Sequence, residues 1–131
     1  MKKKLLAVLS LMIPIMPIAC SDDGEEVSWE MAWSIVKECV IGKDIDNVEV
    51  WTSYTPLPAN TNVTMLIDDD KETSPGHTSW LFFVNDYPTA NYSHPCRYVY
   101  VYTNNAKYVV HKQGWPPAVS MNVELLIKPE L

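Results

Sequence analysis

The sequence predicts an α+β domain: one N-terminal helix packed on an antiparallel sheet of about four to five strands. Three observations carry this expectation. Apolar residues between Trp29 and Val40 recur at spacings of three and four. From Val48 onward the period shortens to two. A series of strand-like segments then follows with no second helical pattern, an order that lays a helix across one sheet face instead of alternating strands with crossover helices.

Taken in order, Ser28 is a good N-cap and Glu30 sits in the first turn, where the helix dipole favours negative charge. Trp29, Ala32, Trp33, Val36, Cys39 and Val40 make one apolar stripe, which predicts an amphipathic helix over residues 29–41. Gly42 is the expected residue after its end, with Lys37 and Lys43 near the negative pole. Val48, Val50, Thr52 and Tyr54 alternate with Glu49, Trp51 and Ser53 as a strand, ended by Pro56 and Pro58. Residues 63–67 are a short β-branched-rich strand, and 68–77 a polar loop. Trp80-Leu81-Phe82-Phe83-Val84 is continuously apolar, as in a central strand covered on both faces. Residues 86–95 contain Pro88, Asn91 and Pro95 and are a loop. Residues 97–103 and 107–112 flank Asn104-Asn105, a pair that tolerates the positive φ angles of a tight hairpin. Trp115-Pro116-Pro117 breaks the pattern, and 122–128 is a last strand.

The chain divides into residues 1–19, 20–27 and a single domain, 28–131. Lys2-Lys3-Lys4 precedes an apolar run from Leu5 to Ile18, and Ala19-Cys20 closes it. Pro14 and Pro17 interrupt a run of about 14 residues, shorter than the roughly 20 needed to span a bilayer. This order reads as a cleaved export signal. It resembles the signal peptide and lipobox of bacterial lipoproteins, with Pro17 where that family has Leu. The resemblance implies that Cys20 becomes the acylated first residue of the mature chain. It also implies an outer-membrane lipoprotein held to the membrane by its acyl chains. Ser21-Asp22-Asp23-Gly24-Glu25-Glu26 is an acidic tether. It resembles the post-cysteine signal that sends some lipoproteins to the cell surface, against a periplasmic orientation as the alternative.

Removing residues 1–19 leaves seven Lys and Arg against sixteen Asp and Glu, a net charge of −9. Such a chain is a poor binder of phosphate backbones, so no nucleic-acid partner is expected. Five Trp and seven Tyr are many for 131 residues and supply both core and contact surface.

The helix at 29–41, the strand at 80–85 and the hairpin at 97–112 together resemble the PepSY and protease-propeptide type of small exported domain, over residues 27–117. The turn Thr103-Asn104-Asn105-Ala106 stands where that family has D-x-x-T-G. The resemblance implies an inhibitor or chaperone of an exported protease, docking an edge strand or loop into a cleft.

Candidate chemistry is sparse. Cys39, on the helix stripe, and Cys96, opening a strand, are either a disulfide in an oxidising compartment or two buried thiols. His94 and Cys96 flank Pro95 with nothing evident to orient the histidine, so no catalytic residue is expected and the protein reads as a non-enzyme. Asp68-Asp69-Asp70 and Glu72 fail EF-hand spacing, because position six is Thr73 and position twelve is Ser79. They read as a solvated acidic loop. His77, His94 and His111 lack the spacing of a zinc site, and four glycines form no nucleotide-binding pattern, so neither metal nor cofactor is expected. Tyr87, Tyr92, His94 and Trp115 lie in loops beside prolines and are the candidate partner-binding residues. The expected role is binding another exported protein. The alternatives are a glycan- or nutrient-binding accessory lipoprotein, or a structural subunit of an envelope complex.

Overall fold

A computed structural model describes residues 26–67, 72–90 and 93–129. Cys20, with residues 1–25, lies outside the described residues, as does Tyr92. The α+β expectation holds: one helix packs on a five-stranded antiparallel sheet, with a small two-stranded sheet beside it.

The helix opens as predicted. The Ser28 Oγ accepts the Met31 N–H at 3.1 Å and α1 runs Trp29–Ile35. It then widens into a π-helical turn, Val36–Ile41, followed by a 3₁₀ turn, Gly42–Asp46. The i→i+5 bonding of a π turn takes in one more residue per turn and sets the following side chains back around the axis. Ile41 therefore enters the core at 5 % exposure, while Cys39 leaves the stripe and is exposed. Gly42 closes the turn at φ +61°, which suits glycine.

The strands are β1 (Glu49–Thr52), β2 (Asn62–Val63), β3 (Glu72–Thr73), β4 (Ser79–Asn85), β5 (Cys96–Tyr102), β6 (Tyr108–Gln113) and β7 (Glu124–Ile127). The main sheet runs β6-β5-β4-β1-β7, and β2 pairs with β3. Register places Trp51 opposite Phe83 and Phe83 opposite Tyr98, while Val50 meets Val84 and Phe82 meets Val99. Side chains alternate across a sheet, so these sets face opposite ways.

Two cores result. On the helix face, Ala32, Val36 and Ile41 bury against Val50, Phe82, Val84, Val99 and Val101, with Trp33 stacked on Phe82 at 5.8 Å. The indole N–H of Trp29 donates to the buried Thr52 hydroxyl at 3.0 Å, tying helix to sheet. On the other face, Val63 and Met65 cover Leu81, Phe83, Cys96, Tyr98 and Tyr100. The segment around Met65 is held against Pro117 by a single β-bridge, flanked by bonds from the Leu66 N–H to the Pro116 carbonyl and from the Ala118 N–H to the Thr64 carbonyl. This double cover explains why β4 and β5 are buried along nearly their whole length.

Three sequence expectations need correction. Val27, assigned to the tether, is 2 % exposed and its N–H donates to the Thr103 carbonyl at 2.7 Å, so it belongs to the domain. Glu72 lies in a strand, β3, where a polar loop was expected. The disulfide between Cys39 and Cys96 is not formed. Cys96 is in the core on the face away from the helix, and Cys39 is on the exposed side of the π turn, so the sheet separates them. A maleimide reagent is expected to label Cys39 in the native protein and Cys96 only after unfolding, read by peptide mapping. Equal native labelling would contradict this placement, and a reductant-sensitive melting temperature would restore the disulfide.

Candidate functional site

The candidate site is the end of the sheet where β4 leaves and β5 returns. Asn85, the last residue of β4, stands opposite Glu49 on one side and Cys96 on the other. Its Oδ1 accepts the Tyr87 backbone N–H at 3.0 Å and lies 2.9 Å from His94 Nε2. An amide oxygen only accepts, so this contact assigns the proton to Nε2. Tyr87 and His94 meet edge to face with centroids 6.1 Å apart. Two loop residues singled out from sequence are thus brought together by an asparagine that was not.

Both feet of the loop are fixed. Arg97 Nε and Nη2 donate to the two oxygens of Asp86 at 3.0 and 2.7 Å, and Nη1 donates to the Val40 carbonyl at 3.2 Å. The guanidinium therefore ties the first loop residue to β5 and to the π turn. A partly exposed pair of this kind contributes up to about 1 kcal/mol, so its main effect is geometric. On the returning side, the His94 N–H and the Ser93 hydroxyl both reach the Gly114 carbonyl at 3.3 Å. A Cβ on Gly114 would lie 2.9 Å from the Ser93 hydroxyl and would turn it away from the Gly114 carbonyl. Tyr87 projects from the braced loop with 54 % of its surface exposed.

Two of the depressions beside the loop differ in character. One, of about 500 Å³, is of mixed polarity and is lined by residues including Asp44, Asp86, Tyr87, Arg97 and Lys112. The other, of about 400 Å³, is largely apolar and is floored by Trp51 and Phe83, with Glu49 and Asn85 at its edge.

Trp115 is placed differently from Tyr87 and His94. It is partly buried against the second core, and its carbonyl accepts from the Tyr98 hydroxyl at 2.7 Å and the Cys96 thiol at 3.6 Å. Cys96 is 1 % exposed, and its thiol is pushed from 9.0 up to about 12, first by burial and then by the Asp86 charge. It stays protonated at neutral pH and lacks the thiolate a nucleophile needs. Among the described residues, no group of three or more His, Cys, Asp or Glu could hold a metal ion.

Sequence reasoning missed a second polar cluster. Glu72, 3 % exposed, accepts from the Tyr100 hydroxyl, His111 Nδ1 and the Gln113 amide, each at 2.6 Å. One carboxylate thereby clamps β3 onto β5 and β6. Its place in an acidic run gave no sign that it would turn inward.

Comparison with family models, curated proteins and solved structures returns no match. None of the described helices is long and apolar enough to cross a membrane.

Proposed function

We propose that this chain is a non-enzymatic outer-membrane lipoprotein, anchored through Cys20, whose domain binds another exported protein at the β4–β5 end of its sheet. The role is that of a propeptide-like inhibitor or chaperone. One observation carries the reading. The loop after Asn85 is held at both feet by Arg97–Asp86, Asn85–His94 and Ser93–Gly114, while Tyr87 is left exposed at its rim. An aromatic side chain presented beside a braced loop foot loses little conformational entropy on docking. The anchor rests on the Lys2–Cys20 pattern, and surface display on the acidic residues after it. Trp115 is partly buried, which leaves the glycan reading with Tyr87 as its exposed plate among the described candidates.

The test uses the full chain, solubilised and immobilised, to capture partners from the producing cell's envelope and secreted fractions. The expected result is one exported protein, a protease foremost, recovered by the native chain and lost with Tyr87→Ala. Tight inhibition of that protease would fix the role. Empty capture, or capture indifferent to Tyr87, would overturn the reading.

A further inference from the structure

The apolar groove beside the loop has a composition that an apolar ligand alone does not satisfy. Its floor is Trp51, which faces Phe83 across the β1–β4 ladder on the side away from the helix. The Trp51 indole N–H donates to Glu49 Oε1 at 2.9 Å, so the side chain is already anchored and need not be ordered by a ligand. Asn85 Nδ2 reaches the same oxygen at 3.5 Å. Glu49 Oε2 takes part in no hydrogen bond among the described residues. A carboxylate with spare acceptor capacity therefore sits at the edge of an aromatic plate. No Lys or Arg lines the groove.

A π face and a carboxylate select the same ligand charge. Cations are attracted over the face of an indole, and a carboxylate accepts their hydrogen bonds. The outer walls are apolar: Leu66 is 57 % exposed and Val119 is 91 % exposed. Such walls suit the methylene stem of a long basic side chain, with its charged head beyond them. An uncharged apolar group would cover Glu49 without satisfying it, which costs free energy, and an acidic group would be repelled. The chain's own net charge of −6, before any processing, draws basic surfaces toward it.

We propose that this groove receives a lysine or arginine side chain of the exported protein partner, with its stem between Leu66 and Val119 and its head over Trp51 facing Glu49. The inference rests on the protein-binding reading above and specifies what the partner must present. Asn85 joins the two features, bracing the loop through His94 and lining the groove, so a protein seated on Tyr87 has its neighbouring residues at the groove mouth.

The test is fluorine NMR of the full chain labelled with 5-fluorotryptophan. Its five tryptophans give separate resonances, and Trp51→Phe identifies the relevant one. The probes are capped tripeptides, glycine on either side of lysine, arginine, norleucine or glutamate. The Trp51 resonance is expected to shift saturably with the lysine and arginine probes, and less so as salt is raised. It should shift little with norleucine and not at all with glutamate. Glu49→Gln keeps an acceptor for the indole N–H, so the free Trp51 resonance should stay in place while the basic probes bind about tenfold more weakly. Equal binding of norleucine and lysine, no shift with any basic probe, or unchanged affinity in Glu49→Gln would each overturn the proposal. The two readings fail separately. A captured protein retained by Glu49→Gln but lost with Tyr87→Ala would leave the protein-binding role and remove the groove. Basic probes bound at Trp51 with no protein captured would do the reverse.

Discussion

Glu72→Ala is expected to lower unfolding stability by about 3–5 kcal/mol, the range for breaking a buried, hydrogen-bonded charge cluster. The carboxylate is 3 % exposed and takes three hydrogen bonds, from Tyr100, His111 and Gln113. Removing it strands the Tyr100 hydroxyl in the core and frees the Gln113 amide. It also releases β3, a two-residue strand whose backbone pairing is to β2 alone. Glu72→Gln keeps the volume but only one oxygen, so it should fall between the variant and the native chain. Urea unfolding with the slope held constant reads both values. A loss below about 1 kcal/mol for the alanine variant would mean that the cluster adds little beyond the packing around it.

The second large effect is loss of stability at alkaline pH. Burial raises Cys96 from 9.0 to about 12 and is also the main cause holding Tyr98 and Tyr100 well above their ordinary 10.0. The hydrogen bond to Glu72 adds to the effect on Tyr100, and the Cys96 and Glu72 charges add to that on Tyr98. Each group keeps its proton in the folded chain at a pH where the unfolded chain has released it. Stability from these groups is therefore fully present below pH 9 and falls as pH rises, because the unfolded state binds fewer protons. The slope is about −1.4 kcal/mol per pH unit for each group in its window, first from Cys96 and then from the tyrosines as well. By pH 11 the three groups together remove about 5 kcal/mol, enough to unfold a domain at the low end of the ordinary range of about 5–15 kcal/mol. Two tyrosinate absorbances should appear only with unfolding, and Tyr98→Phe with Tyr100→Phe should flatten the slope at the expense of two buried hydrogen bonds. A urea midpoint unchanged from pH 8 to pH 11 would contradict the burial of all three.

Local signals explain what could be read in advance. The helix start depends on Ser28 and on spacing within one turn, and both are visible in the sequence. The strand at 80–84 shows its double cover as an unbroken apolar run. What escaped depends on distant partners or on small backbone departures. A period-3.6 count puts Cys39 on the buried stripe, and the π turn moves it off. The Asn104-Asn105 pair marks the hairpin correctly, yet the positive φ falls on Ala106, at +63°, because Asn105 instead uses its side chain to accept the Lys107 N–H. Tyr87 and His94 were visible as loop residues beside prolines. Asn85, which joins them, looked like an ordinary strand end, and the Trp51–Glu49 contact reads from sequence as mere alternation. Glu72 shows the same limit, since its burial depends on donors nearly thirty to over forty residues away.

The position of β7 governs the order in which the molecule can be completed. β1 lies between β4 and β7, and its pairing with β7 joins residues 50–52 to residues 124–127. A chain delivered N-terminus first presents β1 long before β7 exists. The β4–β5–β6 meander can form from neighbours in sequence, but one side of β1 stays an open edge until residues 124–127 arrive. Folding of the finished sheet is thereby tied to delivery of residues 124–127, and the interval is when the molecule is most exposed to pairing with a wrong strand.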